Sequence, residues 1–236
     1  MIGAPAPIGV LAEGSAGRSV VTAVARVLPR EDVILLADTA YAPYAGLHPR
    51  VVADRVSRLA DDLVARGVKL IVLASLQAYA DAAATLRVAV PVVDLRLPLR
   101  PAAALCEGKP IAVVVAGGTV RGRGLQLALR AERSPAGVLI QEWRGLRELV
   151  EAEADPTELV ALGVAALREA GAGCIALADP WTASVAALVE LPHADCATLA
   201  AERVRATLRA SGLLARRTRA GYRTLVSTDP VTAATS

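Results

Sequence analysis

LVARGVKLIVLASLQAYADAA (residues 63–83) and LREAGAGCIALADPWTASVAAL (residues 167–188) read alike. Each runs from the end of a helix through a glycine into a short apolar run. Each then meets a polar residue, Ser75 in the first and Asp179 in the second, and enters another helix. An apolar run of this length, closed on both sides by helix punctuation, is the mark of a strand buried on both faces of a parallel sheet. The strands that begin at Ile8 and Ile111 have a similar offset of about a hundred residues. A repeat of that period predicts two like lobes related by a pseudo-two-fold axis. Chance likeness between two unrelated α/β halves is the alternative, since short apolar strands are common.

Working outward, strand and helix alternate. Strands are expected at 8–11, 32–37, 68–74 and 91–95, with helices at 19–28, 49–66 and 77–87 between them. The pattern restarts with strands at 111–116, 137–142 and 174–178 and helices at 121–133, 157–170 and 182–189. A long helix at 197–211 and a last strand at 222–227 follow. This is the βαβ rhythm of parallel sheets under helices, an α/β fold. The expected division is one lobe of residues 1–98 plus 206–236 and a second of residues 99–205.

Composition narrows the function. Of 236 residues, 54% are hydrophobic and 21% charged, which excludes disordered, collagen-like and coiled-coil classes. Phe is absent and aromatics reach only 3%, so an aromatic platform for single-stranded nucleic acid is not expected. The net charge of +3 is a mild excess; Arg216, Arg217, Arg219 and Arg223 read as a solvated helix end and loop, with phosphate contact as the alternative. No run approaches the ~20 apolar residues of a membrane helix, and no targeting segment is visible. Cys106, Cys174 and Cys196 are odd in number and scattered, so neither a disulfide framework nor a metal site is expected, and the cytoplasm fits. With His48 and His193 the only histidines, a His-rich metal site is excluded.

In open α/β sheets, ligands sit beyond the carboxyl ends of the strands. The candidate turns are residues 12–17, 38–44, 75–77, 116–119 and 179–182. These segments, in this order, resemble the glutamate racemase branch of the aspartate/glutamate racemase superfamily. IGVLAEGSAGRSVV (8–21) is similar to the family's opening strand and its Asp-Ser-Gly turn. Asp38-Thr39-Ala40 with Pro43-Tyr44 resembles its Asp-Thr-Ala…Pro-Tyr-Gly segment. IVLASLQAYA (71–80) sits at the strand ending in Cys-Asn-Thr, Gly118-Thr119-Val120 in Thr-x-x-Thr, and CIALADPWTA (174–183) at Gly-Cys-Thr-His. Asp195-Cys196-Ala197 resembles a later Asp-Ser-Gly, and Tyr222 with Ser227-Thr228-Asp229-Pro230 resembles the C-terminal Tyr…Thr-Gly-Asp segment.

The resemblance implies two Rossmann-like (flavodoxin-like) parallel-sheet lobes, a cleft between them, no cofactor and a homodimer. It also implies two cysteines, one removing and one delivering a proton on opposite faces of the substrate. Here the sequence departs from the family. The cysteine positions carry Ser75 and Asp179. Leu76-Gln77 replaces Asn-Thr, Pro180-Trp181 replaces Thr-His, Ala12-Glu13 replaces Asp-Ser, and Ala116 replaces the first Thr of Thr-x-x-Thr.

These replacements select the candidates. A serine hydroxyl needs a neighbouring base to react, and no histidine falls in a candidate turn; His48 reads as a surface residue before a Pro-led helix. A carboxylate buried beside Trp181 rises in pKa and can act as acid or base. Asp179 is therefore the expected acid/base, with helix capping as its other reading. Ser75 and Glu13 join it as catalytic candidates; a cap and a solvent-facing loop residue are their alternatives. Thr119, with the amides of Gly117 and Gly118, is expected to hold a carboxylate. Tyr44, Gln77, Trp181 and Thr182 complete the expected substrate contacts. GGTVRGRG (117–124) lacks the spacing and lysine of a phosphate loop. The expected function is cofactor-free proton transfer next to a carbonyl, on a small carboxylate or carbonyl substrate. A non-catalytic relative that binds a small acid or a protein partner is the alternative, and a true racemase with replaced bases the third reading.

Overall fold

The computed structural model describes residues 6–132 and 137–228. Along the first half run β1 (Ile8–Ala12), α1 (Gly17–Val27), β2 (Val33–Ala37), α2 (Pro49–Ala65), β3 (Leu70–Leu73), α3 (Leu76–Ala82), β4 (Val92–Asp94) and α4 (Leu99–Ala103). The second half holds β5 (Ile111–Ala116), α5 (Arg123–Ala131), β6 (Val138–Trp143), α6 (Leu146–Glu151), α7 (Thr157–Glu169), β7 (Cys174–Leu177) and α8 (Pro180–Ser184). β8 (His193–Asp195), α9 (Cys196–Ala210) and β9 (Arg223–Ser227) follow. One sheet has five strands in the order β4-β3-β1-β2-β9 and the other four in the order β6-β5-β7-β8. All pairings are parallel. The chain is thus two α/β lobes, each with a central strand, β1 or β5, flanked by its neighbours.

Strand alternation builds the core. Ile111, Val113 and Val115 of β5 and Cys174 and Ala176 of β7 face an apolar cluster that also takes Ile8 and Val10 of β1, Val20 and Val24 of α1, and Val204 and Leu208 of α9. The other faces look outward: Val114, Ile175 and Leu177 pack under α7 and α8, and Leu11, Ile71 and Leu73 pack under α2 and α3. The inner cluster is therefore shared by both lobes, with α1 and α9 packed together between the sheets. Strands buried on both faces explain the unbroken apolar runs.

Several expectations need correction. Cys106 and Cys174 are joined by a disulfide, their Cα atoms 5.0 Å apart across 68 residues; spacing along the chain gave no sign of it. Arg217 is not solvated. Its guanidinium pairs with Asp32 at 2.6 Å and its side chain is 12% exposed. The expected helix 182–189 begins at Pro180 and breaks after Ser184. The expected helix 77–87 ends at Ala82. The short elements α4, α6 and β8 were not expected. Among the described residues no helix is long and apolar enough to cross a membrane, and no group of three or more His, Cys, Asp and Glu is placed to hold a metal ion.

Candidate active site

Parallel strands deliver their following turns to one end of a sheet. Glu13 follows β1, Ser75 precedes α3 and Asp179 precedes α8. Glu13 is 8% exposed, Ser75 2% and Asp179 3%, so none of the three is a solvent-facing loop residue. Ser75 donates its hydroxyl to Glu13 Oε1 at 2.7 Å, and the amide of Tyr44 donates to Glu13 Oε2 at 2.6 Å. Ser75 Oγ also accepts from the amide of Ala78, capping α3. Ser75 is thus a cap and a Glu13 partner at once.

Asp179 caps α8 in the same dual way. Its Oδ1 accepts from the amide of Thr182 at 2.9 Å, and the Asp179 amide donates to Thr182 Oγ1 at 3.2 Å, a reciprocal capping box. Its Oδ2 reaches across to accept from the amide of Ala116 at 2.7 Å, and the Thr119 hydroxyl also bonds this carboxyl. Burial pushes Asp179 above its ordinary pKa, against the downward pull of these donors. Burial likewise pushes Glu13 up, against hydrogen bonds from Ser75 and Tyr44; the charge of Asp179 pushes it further, and that of Arg147 opposes. Two carboxyl groups from different lobes are thus both buried, near enough for the charge of Asp179 to act on Glu13, and burial holds each toward its protonated form.

The remaining candidates divide. Thr119, Thr182 and the Tyr44 amide join the two carboxyls. The Tyr44 hydroxyl does not: it donates to Asp38 at 2.8 Å. Burial works against ionised Asp38, but Arg55, Thr228 and Tyr44 hold it below its ordinary value. Gly118 is not available as a carboxylate donor in this state, because its amide already donates to Glu142 at 2.7 Å. Gln77 is turned away, donating to Asp81 and accepting from the amide of Gly124 at 3.1 Å. Trp181 is buried, and its indole N–H donates to Glu151 at 3.0 Å. Asp229 and Pro230 lie outside the described residues.

Sequence reasoning missed α6. Glu151 accepts from the amide of Ser15 at 3.1 Å as well as from Trp181, so a second-lobe carboxylate sits on the turn that follows Glu13. Gly14 has φ +71°, a conformation that favours glycine, and a Cβ there would lie 2.5 Å from Glu151 Oε1, so a side chain would also have to push the Glu151 carboxylate aside. Arg147 lies with its guanidinium carbon 5.9 Å from the Trp181 ring centroid. No motif marks these residues; a short charged helix reads as solvated surface.

No family model matches the chain. A glutamate racemase from Deinococcus radiodurans is 37% identical over 138 residues, 58% of this chain and 48% of that protein. The chain's matches thus span about half the length of the curated relatives. A glutamate racemase from Thermus thermophilus, solved in complex with beta-chloro-D-alanine, superposes with TM-score 0.71 at 27% identity, covering 97% of this chain and 90% of that one. A glutamate racemase isoform from Bacillus anthracis superposes with TM-score 0.77 at 22% identity, with the same coverage, which speaks for the fold. The two lobes and these likenesses agree: the chain has the two-lobe fold of the glutamate racemases and is similar to them in sequence over more than half its length.

Proposed function

We propose that the chain is a racemase-like enzyme that moves a proton at the carbon next to a carboxyl or carbonyl group without a cofactor. Asp179 is the acid/base, standing where the resemblance has a catalytic cysteine; Glu13, bonded to Ser75 at the other such position, is its counterpart. The observation that carries this reading is the pair itself: Glu13 and Asp179 come from different lobes, are both buried, and are both pushed up by burial. A carboxyl raised toward neutrality is matched to proton transfer at carbon. Ser75, Thr119 and Thr182 hold the two groups in place.

One observation favours a second reading, a non-catalytic relative that binds a small acid. Both oxygens of each carboxyl already accept a bond from the protein. Proton exchange in heavy water, followed by NMR, separates the two. The purified protein meets L- and D-glutamate, L- and D-aspartate, substituted malonates and keto acids. The enzyme reading expects deuterium at the carbon beside the carbonyl, and a loss of about 10²–10⁴-fold in Asp179→Asn. Absence of exchange with every compound, or exchange unchanged in Asp179→Asn, would sink it.

A further inference from the structure

The geometry points to Arg147 as the group that recognises the substrate, through a carboxylate that the reacting molecule must therefore carry. This inference rests on the site being the one proposed above, and it narrows "carboxyl or carbonyl" to a carboxylate.

Arg147 belongs to α6, yet its guanidinium lies over the turns that frame Asp179. It sits on the ring of Trp181, two residues beyond Asp179, with the guanidinium carbon 5.9 Å from the centroid. Its Nη1 is 3.8 Å from where a Cβ of Gly118 would stand. Gly118 lies two residues past Ala116, whose amide holds Asp179. The cation is thus placed between the turns after β5 and before α8, on the same side as the acid/base. It also opposes the charge on Glu13, so it is felt across the cleft from the first lobe.

Two features show that this is a positioned group and not a loose surface arginine. Its side chain is only 24% exposed. The Trp181 ring beneath it is locked by the indole N–H bond to Glu151, so the platform cannot rotate away. At the same time Arg147 is poorly neutralised. Its ion pair is with Glu148, the next residue, at 3.4 Å, and that side chain is 64% exposed. An arginine over an aromatic face keeps its donor fork pointing outward, and that fork fits a carboxylate with two parallel hydrogen bonds. A carboxylate held there would lie among the turns that carry Gly118 and Trp181, the turns that flank Asp179. The positive charge would also stabilise the negative charge that develops on that carboxylate as the proton leaves.

The test pairs binding with exchange. Each acid of the exchange panel is titrated, beside its amide or methyl ester, into wild type, Arg147→Gln and Arg147→Lys, with binding read by ligand-observed NMR. Melting temperatures confirm that the variants fold. The expected result is weakening of the acid by roughly 10- to 100-fold in Arg147→Gln. Partial recovery is expected in Arg147→Lys, with weak and unchanged binding of the uncharged analogues throughout. Equal affinity of Arg147→Gln and wild type for the acids overturns the assignment, as does failure of every acid to bind wild type. Exchange that persists in Arg147→Gln at unchanged KM removes Arg147 and leaves the proton-transfer reading standing. Acids that bind through Arg147 but exchange no deuterium do the reverse.

Discussion

Glu13 shows what a single buried carboxyl costs the molecule. Its pKa is raised chiefly by burial. Below the ordinary carboxyl value both folded and unfolded chains carry it neutral, and it takes nothing from stability. As pH climbs toward the raised folded value, the unfolded chain ionises first, so stability falls. Glu13→Gln has no proton to lose. Its amide can accept from Tyr44 and donate to Ser75, in place of the bonds at 2.6 and 2.7 Å. Thermal melts from pH 4 to pH 8 should therefore show the variant near wild type at the acid end. By pH 8 it should gain about 1 kcal/mol on wild type, while proton exchange falls. Parallel curves across the range would refute this. A carboxyl held at a loss of stability is in keeping with the role proposed for Glu13. Asp179 as a helix cap was legible in the sequence, because Asp-Pro-x-Thr states the capping box outright and the strand before it is plain. Glu13's burial was not, since only the third dimension brings Ser75 and the Tyr44 amide to it.

At the scale of elements, the seam between α3 and α5 joins the lobes behind the site. Gly124 makes the contact possible: a Cβ there would stand 2.4 Å from the backbone carbon of Leu76 and 2.6 Å from the amide nitrogen of Gln77. Backbone cannot swing aside as a side-chain tip can. Gly124→Ala should force the two helices apart, break the Gly124–Gln77 hydrogen bond and cost about 1–3 kcal/mol. Chemical denaturation would read this as a lower midpoint; an unchanged midpoint would show that the seam yields freely. Strands and long helices were legible because their apolar period is imposed by burial on both faces, as in β5 and β7. The short helices α4 and α6 were not. Five or six residues, as in Leu99–Ala103 and Leu146–Glu151, hold too few turns to show a period, and packing rather than propensity makes them helical.

Across the whole molecule, the lobes are held by polar contacts around the cleft as well as by the shared core. Glu151 bridges Ser15 and Trp181, Arg18 meets Glu153 at 3.0 Å, and the Ser19 hydroxyl donates to the carbonyl of Pro180 at 2.9 Å. The Arg18–Glu153 pair is well exposed and contributes little. Glu151 is the stronger tie, because charged acceptors make the stronger hydrogen bonds. Glu151→Ala should lower the melting temperature by about 3–6 °C. It should also speed exchange of the Ser15 amide and shift tryptophan emission to the red. Unchanged amide exchange at Ser15 would show that this contact does not hold the cleft shut. The pseudo-symmetric plan was legible from the paired stretches alone. The Cys106–Cys174 bond was not, because pairing depends on the approach of two Cα atoms and not on their spacing along the chain.

The last strand has a consequence for how the chain is made. β9 pairs with β2 in register from Val33–Arg223 to Ala37–Ser227. A ribosome releases β1 to β4 early, but the strand that covers the β2 edge emerges only after every strand of the other sheet has left the tunnel. The second sheet has all its strands once Asp195 is out, so the lobe begun first is the lobe finished last. Until residue 227 arrives, the nascent first lobe waits with the edge of β2 unpaired, an open edge of the kind that recruits other chains.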